Sequence, residues 1–185
     1  ISGPDGVPDG KIDSHDRTII GNPTARYEFG LTLGLQWKGI DFSAFFQGVG
    51  KKDVYYSGAG ARALCGNYTI YKYQFDYWTP ENPDAKFPRL LEDPNATNPN
   101  NMISSFWVKS GAYCRLKNIV LGYTLPSSIT KAAHISKLRV YASAQNLFTI
   151  KDNFYEGFDP ENSVSSGASL YPLNKTFVFG LNVEF

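Results

Sequence analysis

Between Tyr27 and Trp37 the chain alternates without a break. Tyr27, Phe29, Leu31, Leu33, Leu35 and Trp37 are apolar or aromatic, and Glu28, Gly30, Thr32, Gly34 and Gln36 between them are small or polar. A period of two belongs to an extended strand, whose successive side chains point to opposite faces; on a helix the same residues would scatter around the axis. The run is also long. A tilted strand needs about 9–11 residues to cross a hydrocarbon layer, whereas strands of soluble proteins usually stop at about 5–6.

Four further segments carry the same alternation. Lys38-Gly39 makes a tight turn, after which Ile40, Phe42, Ala44 and Phe46 oppose Asp41, Ser43, Phe45 and Gln47. The third strand runs from about Ala112 to Thr124 and changes phase: Leu116 lies between Arg115 and Lys117, yet Ile119, Leu121 and Tyr123 form the later apolar face. A β-bulge near Asn118 reconciles the halves. In the fourth, Leu138, Val140, Ala142 and Ala144 oppose Arg139, Tyr141, Ser143 and Gln145; in the fifth, Phe177, Phe179, Leu181, Val183 and Phe185 oppose Thr176, Gly180, Asn182 and Glu184. The expected strands are thus about 26–38, 40–49, 112–124, 137–148 and 175–185.

Loop lengths alternate too. The turns at Lys38-Gly39 and Pro126–Ser136 are short, while 1–25, about 50–111 and about 149–174 are long and rich in Pro, Asn, Gly and Tyr. Membrane barrels have short turns on the periplasmic side and long loops outside. The pattern predicts an all-β fold, an antiparallel transmembrane β-barrel with long extracellular loops and Phe185 on the periplasmic side. Aromatic residues at strand ends, Tyr27, Trp37, Tyr123 and Phe185, suit its interfacial girdles. Five strands cannot close a barrel, since the smallest bacterial ones have about eight, so the missing strands come from elsewhere in the same protein or from copies of this chain; the first is expected, making these the C-terminal strands of a larger barrel. The chain opens on Ile1 and its only Met is Met102, which fits a piece of a longer protein.

Composition narrows the alternatives. Lys and Arg number 18 against 17 Asp and Glu, so no global field draws the chain to nucleic acid. No apolar run is long enough for a transmembrane helix, and a mean hydropathy of −0.29 fits a soluble protein and a barrel equally well, since barrel strands show only every second residue to lipid. Two cysteines, Cys65 and Cys114, leave room for one bridge at most. His15 and His134 are far apart, and no nucleophile–base arrangement or zinc-ligand cluster stands out, so catalysis is not expected. The competing architecture is a soluble, Ca²⁺-stabilised β-sandwich that binds glycans on exposed aromatic rings; its strands would alternate as well.

Several motifs together carry a resemblance. Asp9-Gly10-Lys11-Ile12-Asp13, Asp16-Arg17-Thr18-Ile19-Ile20-Gly21-Asn22-Pro23, Phe45-Phe46-Gln47-Gly48-Val49 and Tyr77-Trp78-Thr79-Pro80-Glu81-Asn82 come first. They are followed by Arg115-Leu116-Lys117-Asn118-Ile119-Val120-Leu121-Gly122-Tyr123-Thr124-Leu125-Pro126, then Leu138-Arg139-Val140-Tyr141 through Gln145-Asn146-Leu147-Phe148-Thr149. In this order they resemble the last part of the SusC/RagA family of TonB-dependent outer-membrane transporters. The resemblance implies a barrel of about 22 strands with an N-terminal plug, energised by TonB through a part absent here. It also implies a SusD-like surface lipoprotein as a lid, and oligosaccharides or peptides as substrates. Phe185 would then be the terminal aromatic read during assembly.

Three groups of residues are candidate sites. Asp5, Asp9, Asp13 and Asp16 fall at positions 1, 5, 9 and 12 of an EF-hand-like loop with Gly10 at position 6, a spacing that could gather hard oxygens around Ca²⁺. Val7 stands where a third ligand is usual and Asp16 where Glu is, so an acidic turn with an Asx cap is the plainer alternative. Tyr71, Tyr73, Tyr77 and Trp78, with Trp107, offer rings to a substrate or to the lid, or simply pack within their own loop. Arg115, Lys117, Arg139, Tyr141 and Gln145 are expected to face the channel lumen.

Overall fold

The computed structural model describes residues 5–57, 63–64, 69–91, 100, 102–152, 159–161 and 173–185. Among them eight strands run in chain order: β1 (Tyr27–Trp37), β2 (Ile40–Gly50), β3 (Asp53–Tyr55), β4 (Val108–Ser110), β5 (Tyr113–Thr124), β6 (Lys137–Gln145), β7 (Thr149–Lys151) and β8 (Thr176–Glu184). One antiparallel sheet has the order β1-β2-β5-β6-β8, with β7 beside β5; β3 and β4 pair separately.

The turns follow from their residues. Lys38 (φ 46) and Gly39 (φ 86) are both left-handed, as a two-residue turn between right-twisted strands requires. Gly39 is needed for space as well, because a Cβ there would sit 2.7 Å from the Thr124 carbonyl oxygen. The connection from β5 to β6 holds one helical turn, α1 (Ser127–Thr130), and a 3₁₀ turn at Lys131–Ala133 that ends on left-handed His134.

The phase change expected in the third strand is a bulge at Lys117. Phe45 pairs with Asn118 but Phe46 pairs with Leu116, so Lys117 is the extra residue. A bulge resets the alternation. Cys114 and Leu116 before it and Ile119, Leu121 and Tyr123 after it fall on one face, in register with Ile40, Phe42, Ala44, Phe46 and Gly48. The same face continues through Leu138, Val140, Ala142 and Ala144 of β6 to Phe177, Phe179, Leu181 and Val183 of β8. It extends the other way through β1, from Tyr27 to Trp37.

The sheet is a single layer. Its apolar face is open: Leu31, Leu35, Phe179 and Leu181 are 51%, 63%, 81% and 68% exposed. Among the described residues the only other sheet is the short β3–β4 ladder, so no second layer covers that face. Large rings are seated over glycine instead. A Cβ on Gly48 would lie 2.2 Å from the ring of Phe29, and one on Gly50 would lie 1.9 Å from that of Tyr27.

Two elements differ from the sequence reading. The fourth strand, expected to run to about 148, stops at Gln145; Asn146 turns left-handed (φ 54), and the chain rejoins β5 as β7. The break lies against the bulge, where Asn146 N–H donates to the Lys117 carbonyl and Leu116 N–H donates to that of Phe148. The long 50–111 segment, expected as a loop, begins and ends as a ladder: Asp53, Val54 and Tyr55 pair with Ser110, Lys109 and Val108. Tyr56, Phe87 and Trp107 form a small core there, with Val54, Tyr55, Tyr73 and Tyr77 against it. The preceding segment is tied on by Asn22, whose N–H donates to Asp53 Oδ2 at 2.8 Å.

Candidate functional site

The polar face of the sheet carries two constructed features. The first is an ion pair that skips a strand. Asp41 on β2 and Arg139 on β6 are separated by β5, and the guanidinium reaches across with Nε 2.8 Å and Nη2 2.5 Å from the two carboxylate oxygens. It passes over Gly122, where a Cβ would lie 2.4 Å from both Arg139 Nη2 and Asp41 Oδ1. Arg139 also sits 5.0 Å from the ring centroid of Tyr141, which leans over Gly180 of β8 in the same way. Gln145 shares this face at the far end of β6.

The second feature is an ionic cluster at the bulge. Arg115, 1% exposed, donates from Nε to Thr149 Oγ1 at 2.8 Å and from Nη2 to Asp159 Oδ2 at 2.6 Å. Its Nη1 lies 3.0 Å from Glu161 Oε2 but off the hydrogen-bond line, so that contact supplies charge without a directed bond. Lys117 Nζ is 2.7 Å from Glu161 Oε1, and the Tyr113 hydroxyl donates to the same oxygen at 2.9 Å. Burial alone would raise the Glu161 carboxyl, but hydrogen bonds from Lys117 and Tyr113 and the charges of Arg115 and Lys117 outweigh it. Its pKa falls below the ordinary value.

Of the five residues expected to face a lumen, Arg139, Tyr141 and Gln145 thus lie on the polar face. Arg115 and Lys117 turn to the same side and are engaged with Asp159 and Glu161. The partners Asp41, Asp159 and Glu161 were not singled out from the sequence; each is separated from its cation by 44 to 98 positions. Glu184 at the end of β8 faces Lys137 Nζ at 3.5 Å.

The loop aromatics divide. Trp107 is buried and donates from Nε1 to the Asn100 carbonyl; Tyr73 and Tyr77 pack against the same small core, and Tyr71 stacks on Tyr73 with ring centroids 5.7 Å apart. Burial pushes the Tyr73 hydroxyl well above the usual phenol range. Trp78 keeps 38% of its surface open. Asp76 shapes the turn that presents it, accepting from Asn82 Nδ2 and from Lys86 N–H.

The acidic segment is arranged around its own backbone. Asp9 accepts from Lys11 N–H, Asp13 from His15 N–H and Nδ1, and Asp16 from Asp13 N–H. The His15 contacts, the backbone bond first, hold the Asp13 carboxyl below its ordinary pKa. Among the described residues no group of three or more His, Cys, Asp or Glu side chains converges as a cation site. Cys114 is a free thiol on the apolar face, and Cys65 lies outside the described residues. Phe185 follows β8, 90% exposed and in phase with its apolar face.

A single antiparallel layer, apolar on one face and ion-paired on the other, is the material of a membrane barrel wall. Relatives carry the assignment further. No protein-family model matches the chain. TonB-dependent receptor P3 of Formosa agariphila is 33% identical across 95% of this chain, and the receptor SusC of Bacteroides thetaiotaomicron 29% identical across 95%. The RagAB peptide importer in its open-open state superposes with a TM-score of 0.71 over 98% of this chain at 28% identity. The chain belongs to the SusC/RagA family of TonB-dependent receptors. It spans less than a fifth of the length of these relatives, 18% of the first and 17% of SusC.

Proposed function

We propose that the chain is the C-terminal barrel segment of a TonB-dependent importer in a bacterial outer membrane. The observation that carries this is the apolar face kept in phase across five strands, bulge included, and left open to the surroundings. Lipid is the solvent such a face requires. The polar face lines the lumen of a barrel of about 22 strands, completed by parts of the protein outside this chain. The turns at Lys38-Gly39 and Pro126–Ser136 lie on the periplasmic side, and the segments at 1–25, 50–111 and 149–174 lie outside the cell.

In this reading a SusD-like lipoprotein closes over the external loops, with the open ring of Trp78 as a contact for solute or lid. TonB acts through the plug. Phe185 is the terminal aromatic that assembly reads. The solute is an oligosaccharide or a peptide; similarity to a peptide importer supports the second class, and the first rests on the family resemblance of the motifs. A Ca²⁺ role for Asp5, Asp9, Asp13 and Asp16 requires those carboxylates to leave their backbone partners, and calorimetric titration with Ca²⁺ is its test.

The test of the function is uptake in the native host. Deleting the gene for the full-length protein should abolish growth on one oligosaccharide or peptide mixture, and restoring it should restore growth. Recovery of the full-length protein in the soluble fraction would overturn the reading.

A further inference from the structure

The bulge at Lys117 and the cluster beside it call for a joint explanation. Without the bulge, strict alternation would put Tyr113, Arg115 and Lys117 on the same face as Ile119 and Leu121. With it, Leu116 and Ile119 share the apolar face while Tyr113, Arg115 and Lys117 all reach Glu161 or Asp159 on the other. The two carboxylates belong to the segment between β7 and β8, are themselves linked through Glu161 N–H to Asp159 Oδ1 at 2.9 Å, and flank Pro160. Arg115 is almost wholly enclosed, and Thr149 at the start of β7 takes its remaining directed bond. Cations on one strand and carboxylates on a distant segment make an electrostatic and hydrogen-bonded tie between them.

We propose that this cluster is an interior anchor that folds the Asp159–Glu161 segment inward over the polar face and so narrows the passage beside β5. Bulges re-aim side chains where a strand has a second task, and here the task is to deliver three donors to one carboxylate pair. The inference rests on the polar face being the lumen; the identity of the solute does not enter. Arg115, Lys117 and Tyr113 are positioning residues in this scheme.

The test uses the full-length protein in detergent, read by amide hydrogen exchange. In Arg115→Met, peptides covering 159–161 should exchange roughly tenfold faster or more, while those in β6 and β8 keep their protection. Asp159→Asn with Glu161→Gln removes the tie from the other side and should do the same, and combining all three should add little. Persistence of the folded, heat-modifiable band on gels for each variant separates loss of the anchor from loss of the barrel. Unchanged exchange at 159–161 in both folded variants would overturn the proposal. A soluble parent protein without that band would instead overturn the barrel reading on which it rests.

Discussion

At the scale of single residues, the polar face is organised by what stands above glycine. Gly180 is the seat of the Tyr141 ring, whose Cζ would lie 2.3 Å from an added Cβ. Gly180→Val should therefore destabilise the full-length protein by about 1–3 kcal/mol, the usual range for overpacking, read as a lower denaturation midpoint in detergent. The charged residues add a pH dependence. Glu161 is faced by Tyr113, Arg115 and Lys117 of β5 and by Asp159 of its own segment, with Lys151 of β7 beside Asp159. Its folded pKa is depressed, so the stability it contributes is complete above the unfolded value of about 4.3 and is lost as pH falls through the lower folded value. The difference in denaturation midpoint between wild type and Arg115→Met should accordingly be full at neutral pH and shrink below about pH 4. A constant difference down to acid pH would count against it.

At the scale of elements, alternation carried most of the information. Tyr27–Trp37 reads as a strand because every odd residue is apolar, and the phase conflict around Leu116 announces a bulge within one residue of its position at Lys117. The break at Asn146 leaves only a faint sign in the sequence, Asn146 on the apolar phase and Leu147 on the polar one, and its cause, a bulge on the neighbouring strand, is a tertiary contact. The β3–β4 ladder was hidden for a similar reason. Three residues on each side are too few to show a period, and their pairing depends on the small core that Phe87 and Trp107 supply from the loop. The ionic cluster was half legible: Arg115 and Lys117 stood out, but nothing near them in sequence named Asp159 and Glu161. Deleting Lys117 tests the element directly. Without the extra residue, Arg115 or the following apolar run must turn to the wrong face, and an Arg among lipid costs up to about 2–4 kcal/mol near the midplane. The deletion should sharply reduce folded, heat-modifiable protein in the outer membrane, whereas Lys117→Gln should leave that amount near wild type.

At the scale of the whole molecule, an open sheet with a bare apolar face does not suit water. Made alone, the chain should fail to give a monodisperse soluble species, and size-exclusion chromatography decides this: a sharp peak near 20.6 kDa would revive the soluble sandwich. Inside its parent the sheet meets another difficulty, for which the glycines supply a physical answer. Sliding one strand past its neighbour by two residues leaves every apolar side chain facing lipid, so hydrophobicity is blind to such an error. Shape is not. A two-residue slip between β6 and β8 takes Tyr141 from Gly180 to Asn182 or Val178, and one between β1 and β2 can bring Phe29 against Phe46. Each ring and its notch thus work as a vernier, marking the one alignment among several that lipid alone would accept.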